Sequence, residues 1–118
     1  MFHGTKNNHP SLIYDNHIGF DFRFSNQGAW GVGSYFAHNA SYSGGGYQHN
    51  LPNGNKCMFL VYVVQGLPYK TGGGNYRIPP FINGANGPRY DSVASNDGSI
   101  VIVYEHGKAY PYYLIEYK

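Results

Sequence analysis

Apolar residues recur along this chain in short bursts and not in long helical stripes. The strongest burst is Cys57-Met58-Phe59-Leu60-Val61-Tyr62-Val63-Val64, which is apolar on both faces and rich in β-branched and aromatic residues. That composition predicts a central strand. Ile100-Val101-Ile102-Val103-Tyr104 and Tyr113-Leu114-Ile115-Glu116-Tyr117 read as further strands, with Tyr90-Asp91-Ser92-Val93 before them. Upstream, Phe20, Phe22 and Phe24 alternate with Asp21 and Arg23, which predicts a strand leading into the turn-rich Ser25-Asn26-Gln27-Gly28. Met1 to Thr5 is a short strand candidate.

Helical signals are brief. Pro10 stands ahead of Leu12, Ile13 and Ile18, with Gly19 as a stop, and Asn39 to Tyr47 carries a second short helix ended by Gly44-Gly45-Gly46. Gly31 to Ala37 reads mainly as loop, and so does the segment holding Gly72-Gly73-Gly74 and Pro79-Pro80. Strands outnumber helices without the regular alternation of βαβ units, so the expected class is α+β with a mostly antiparallel sheet.

Composition narrows this picture. A chain of 118 residues is expected to form one domain spanning 1–118, and its 17 Gly, 7 Pro and 12% charged residues fit short strands joined by tight turns. The net charge of +2 is spread along the sequence, without the basic cluster of a dedicated nucleic-acid binder. A single cysteine excludes an internal disulfide, and no secretory or membrane-spanning pattern is seen. The expectation is an intracellular protein, cytoplasmic or nuclear, with no membrane partner. The six histidines and Cys57 lack zinc-ligand spacing, so no metal is expected and Cys57 is read as a buried thiol.

Single motifs are weak here. Gly31-Val32-Gly33 lacks the third glycine, long helix and acidic residue of a dinucleotide-binding βαβ unit, and Asp91-Ser92 has no nucleophile elbow around it. The order of motifs carries more. Phe2-His3-Gly4-Thr5, Gly19-Phe20-Asp21, Gly31-x-Gly33-x-Tyr35-Phe36-Ala37, Ser41-x-Ser43, Met58-Phe59-Leu60, Pro79-Pro80, Tyr90-Asp91-Ser92, Ser99 to Tyr104, and Ala109-Tyr110-Pro111 with Tyr113-Leu114-Ile115 follow one another. This series resembles the PARP-like, diphtheria-toxin-type ADP-ribosyltransferase catalytic domain over nearly the whole chain.

The resemblance implies a fold of two packed, mostly antiparallel sheets with few short helices. It also implies NAD+ as substrate, without a metal. His3 is the match of the histidine that holds the adenosine ribose, a role suited to a group that donates and accepts hydrogen bonds near neutral pH. Gly4 is expected to offer its backbone to the nicotinamide carboxamide and Ser43 its hydroxyl. Tyr35 and a second tyrosine sandwich the nicotinamide ring. Tyr47 is the better match for that second ring, and Tyr42 stays open because the glycine run alters the spacing. Thr5, Phe36 and Ala37 fall within the matching NAD+-binding segments, although Phe36 alone reads better as a core residue. Phe22, Arg23 and Trp30 fall in the donor loop, against adenine or pyrophosphate.

In chain-extending members a glutamate stands where this sequence has Ile100. Isoleucine bears no charge and accepts no hydrogen bond, so the His3-Tyr35-Ile100 set resembles that of mono-ADP-ribosylating relatives. The implied activity is transfer of one ADP-ribose unit to an acceptor, a protein including this chain itself. Transfer to a nucleic-acid terminal phosphate ranks lower, and a non-catalytic binding or scaffolding module of the same fold is the alternative. Tyr112 replaces a common glutamate, and the usual upstream segment is absent before Met1, which is expected to leave a sheet edge open to a second copy.

Overall fold

The computed structural model describes residues 1–14, 20 and 28–118, with backbone only at 42 and 43. The expected strand through Phe22 and Phe24, and the end of the first helix at Ile18 and Gly19, lie outside the described residues. The elements are β1 (Phe2–His3), α1 (Ser11–Tyr14), β2 (Ser34–Ala37), α2 (Ala40–Gly44), β3 (His49–Asn50), β4 (Lys56–Val63), β5 (Pro68–Lys70), β6 (Ser92–Ala94), β7 (Ile100–Val103) and β8 (Ala109–Tyr117). Among the described residues, strand dominance with two very short helices agrees with an α+β class.

The described strands form one hydrogen-bonded path, β3-β4-β1-β2-β7-β6-β5, with β8 on the other edge of β4. Among the described strands only β5 and β6 run parallel. β4 is therefore central, as its two-sided apolar sequence predicts, although Tyr62 at its far end is exposed. β3 is not among the expected strands, β8 begins at Ala109 instead of Tyr113, and two further strands differ from the sequence expectation. Ser34–Ala37 pairs with β7 throughout and is a strand, not loop. Pro68–Lys70 forms β5 inside the segment that reads as irregular. In both, pairing with a neighbour distant in sequence outweighs local turn composition.

Residues directly opposite in an antiparallel pair share a face. Phe2 opposes Ala37, Ala37 opposes Ile100, and Tyr35 opposes Ile102, so these five lie on one face. On that side Val93, Ile102 and Tyr104 are buried, with Trp30, Tyr35, Tyr76 and Ile100 packed against them. The other face carries Phe36, Phe59, Val61 and Val103, covered by Ile13 and Phe20. Three edge-to-face ring pairs, Phe20 with Phe36, Phe20 with Phe59 and Phe20 with His3, knit that second cluster together.

β8 is an edge strand among the described residues. The pairing with β4 shifts between Leu60 and Val61, so that Tyr113 opposes Leu60 while Pro111 opposes Val61, and Tyr112 is the extra residue of a bulge. Pro111 supplies no N–H and fits such an irregular edge position. Cys57 is buried on β4 opposite Glu116, and burial pushes its thiol pKa up. Among the described residues no group of three or more His, Cys, Asp or Glu is placed to hold a metal ion. No described helix is long and apolar enough to cross a membrane.

Candidate functional site

Of the described candidates, His3, Tyr35, Ala37 and Ile100 lie on β1, β2 and β7, which run side by side, and α2 follows β2. β1 sits between β2 and β4, with Phe2 opposite both Ala37 and Leu60 and His3 opposite Phe59. His3 turns its ring to Phe20 and Phe36, at centroid distances of 4.9 and 5.3 Å. Its Nδ1 lies 2.6 Å from the Tyr35 carbonyl oxygen. A carbonyl only accepts, so Nδ1 carries the proton. Burial lowers the His3 pKa to about 4, against the opposing pull of the Tyr35 carbonyl. The ring is neutral at pH 7, and its remaining nitrogen, Nε2, is an acceptor.

This has a consequence for stability. A histidine whose pKa falls from 6.5 to about 4 on folding binds fewer protons in the native state than in the unfolded state between those values. Its contribution is complete above pH 6.5 and is lost as the pH falls toward 4. Thermal midpoints of the wild type should drop across that window and those of His3→Gln should drop less. Parallel curves would refute a neutral native His3.

The Tyr35 and His3 rings are not in one cluster. Tyr35 packs on the opposite face with Trp30, at 6.3 Å between centroids. Its hydroxyl accepts the Trp30 N–H at 2.9 Å and donates to the Gly31 carbonyl at 2.8 Å. The phenol thus pins the turn before β2, and burial raises its pKa. Gly31 sits at φ 90° in that turn, where a side chain would also collide with Tyr76 backbone. Trp30 donates from Nε1 to the Thr71 carbonyl and accepts the Tyr104 hydroxyl on its own carbonyl. This Trp30-Thr71-Tyr104 support is carried by pairings the sequence does not display.

Gly4 meets Tyr47 directly. A Cβ on Gly4 would overlap the Tyr47 carbonyl group and the Gln48 nitrogen, and Lys6, two residues on, donates its N–H to the Tyr47 carbonyl at 2.9 Å. The Tyr47 side chain is exposed. Thr5 is buried and gives its hydroxyl to the Asn8 carbonyl, closing the turn after β1. Phe36 is in the core of the His3 face, and Ala37 is buried between Phe2 and Ile100. Ser43 lies in α2, its side chain and that of Tyr42 being outside the described atoms, as are Phe22 and Arg23 altogether. Asn39 caps α2, its Oδ1 accepting the Ser41 N–H and hydroxyl. An asparagine two residues ahead of Ser41 is a signal the sequence did carry.

Ile100 enters β7 from a tightly bonded turn. The Asp97 carboxylate accepts the Ser95 hydroxyl, the Ser99 hydroxyl and the Ser99 N–H. The Ile100 N–H in turn reaches the Ser95 hydroxyl at 3.1 Å. Asp91 accepts the Leu67 N–H and Ser92 donates to the Gln65 carbonyl, both bracing the chain between β4 and β5.

The candidate site therefore brings together the strand that ends at His3, a Tyr-Phe-Ala strand and the head of an Ile-Val-Ile-Val strand. Comparison with known proteins agrees with the class this suggests and supports a PARP-like ADP-ribosyltransferase domain. The whole chain is 37% identical over 119 residues to a probable poly(ADP-ribose) polymerase of Dictyostelium discoideum. It is 35% identical over 124 residues to the human protein mono-ADP-ribosyltransferase PARP14. Mouse protein mono-ADP-ribosyltransferase PARP11 is 30% identical over 139 residues, covering 99% of the chain. The chain spans 33% of the Dictyostelium protein, 7% of PARP14 and 41% of PARP11. No protein-family model matches it.

Proposed function

We propose that this domain transfers a single ADP-ribose unit from NAD+ to a protein acceptor and releases nicotinamide. The observation that carries the reading is the face shared by Tyr35, Ala37 and Ile100, coupled to β1 by the 2.6 Å contact of His3 Nδ1 with the Tyr35 carbonyl. His3 Nε2 accepts a ribose hydroxyl, Gly4 backbone and Ser43 hold the carboxamide, and Tyr35 and Tyr47 bracket the ring.

In the reaction the bond between the ribose anomeric carbon and the pyridinium nitrogen breaks, and its electron pair leaves with nicotinamide. An oxygen of the acceptor carboxylate then bonds to that carbon, its negative charge cancelling the positive charge left on the sugar, so that no proton is released. Preorganised backbone donors hold the leaving group. Ile100 offers no anion to the cationic sugar, so the acceptor's own carboxylate supplies it. That is why the product stops at one unit.

Incubation with labelled NAD+ checks this. A discrete single-unit adduct is expected, and a polymer ladder would contradict the role given to Ile100. Nicotinamide binding without any transfer would instead favour a binding module, a reading supported by the packing of Ile100, like Trp30, Tyr35 and Tyr76, against the buried Val93, Ile102 and Tyr104.

A further inference from the structure

Tyr117, near the end of β8, has a buried hydroxyl with no hydrogen-bond partner among the described residues. An unpaired buried hydroxyl is costly and calls for a physical reason. Register brings it to the site: Tyr117 opposes Lys56 and Ile115 opposes Met58, so the Tyr117 and Met58 side chains share a face. On that face they meet the last residue of α2. A Cβ on Gly44 would stand 3.3 Å from both the Tyr117 hydroxyl oxygen and the Met58 Cε. Gly44 follows Ser43 immediately, and Tyr47 comes three residues later.

α2 has five residues, too few to hold its own position. A helix this short also leaves the carbonyls of its last turn without intrahelical donors. The phenol donor, unpartnered beside carbonyls to which the helix itself gives no donor, can pair with one of them once that turn moves a little. We infer that Tyr117 is a positioning residue for the nicotinamide pocket, its hydroxyl bonding the last turn of α2 when that turn settles onto substrate. The inference rests on the functional reading above, since it takes Ser43 and Tyr47 as the groups that α2 delivers. No role for this tyrosine follows from the motifs in the sequence, where it closes an ordinary alternating strand.

Tyr117→Phe in the full chain separates the alternatives, because it removes one oxygen and keeps the ring. Three quantities are read: the thermal midpoint without ligand, the dissociation constant for nicotinamide, and KM and kcat for NAD+. The ligand-free midpoint should rise or hold, since an unpaired hydroxyl is deleted. KM and the nicotinamide constant should rise roughly three- to tenfold, the worth of one neutral hydrogen bond, with a smaller change in kcat. Gly44→Ala, which lifts the turn off the phenol, should give the same KM effect, and adding it to Tyr117→Phe should weaken binding little further.

A lower ligand-free midpoint for Tyr117→Phe would show that the hydroxyl is already bonded without substrate, and would overturn the inference. So would an unchanged KM and nicotinamide constant. A wild-type chain that binds no nicotinamide would sink the functional reading first, and this inference with it.

Discussion

Gly4→Ala should lower kcat/KM for NAD+ by roughly 100-fold or more, the loss that follows from displacing a binding group by about an ångström. The added Cβ overlaps the Tyr47 carbonyl and the Gln48 nitrogen. β1 cannot yield, because it is paired on one side to β2 and on the other to β4. The Tyr47 segment must move instead, breaking the bond from the Lys6 N–H to the Tyr47 carbonyl. Tyr47 is then carried away from the place where it is proposed to cover nicotinamide. Circular dichroism should still report a folded chain. Turnover within a few-fold of wild type would remove Gly4 and Tyr47 from the proposed pocket together.

Phe36→Ala should act on stability instead. Phe36 is 1% exposed and touches His3 and Phe20 through ring contacts of 5.3 and 5.0 Å. Truncating a phenylalanine so placed costs about 3–5 kcal/mol, a large share of the roughly 5–15 kcal/mol that holds a domain together. Urea unfolding should show a midpoint shifted far down, while the fraction still folded keeps a near-native KM for NAD+. A raised KM with normal stability would mean that Phe36 touches substrate after all.

The contrast between these two residues bears on what the sequence discloses. β4, β7 and β8 were legible because continuous or alternating apolar runs of β-branched and aromatic residues leave few other ways to be buried. β2 and β5 were not, since Gly-Val-Gly-Ser before Tyr35 and the Gly66-Leu67-Pro68 approach to β5 carry turn composition. Their strand character comes from partners dozens of residues away. For the site, the order of motifs grouped His3, Gly4 and Tyr35 as candidates for one pocket, and the structure brings them near one another through the Tyr35 carbonyl and the Tyr47 backbone. The sequence did not show that the His3 and Tyr35 rings face different clusters, because that depends on a register in which Phe2, not His3, opposes Ala37. Nor did it show that the Thr5 hydroxyl is used up by Asn8. A threonine reads the same whether it closes a turn or meets a ligand.

The pairing scheme also governs how such a chain is made. β1 is completed by β4, whose residues come more than fifty positions later, and β2 by β7, more than sixty positions later. As the polypeptide leaves the ribosome, Phe2 must wait for Leu60, and Tyr35 and Phe36 must wait until Ile100–Val103 has been synthesised. Closing such distant contacts makes folding slow and leaves sticky strands uncovered meanwhile. Production of soluble material should therefore respond to slower translation or lower growth temperature more than to any single surface substitution.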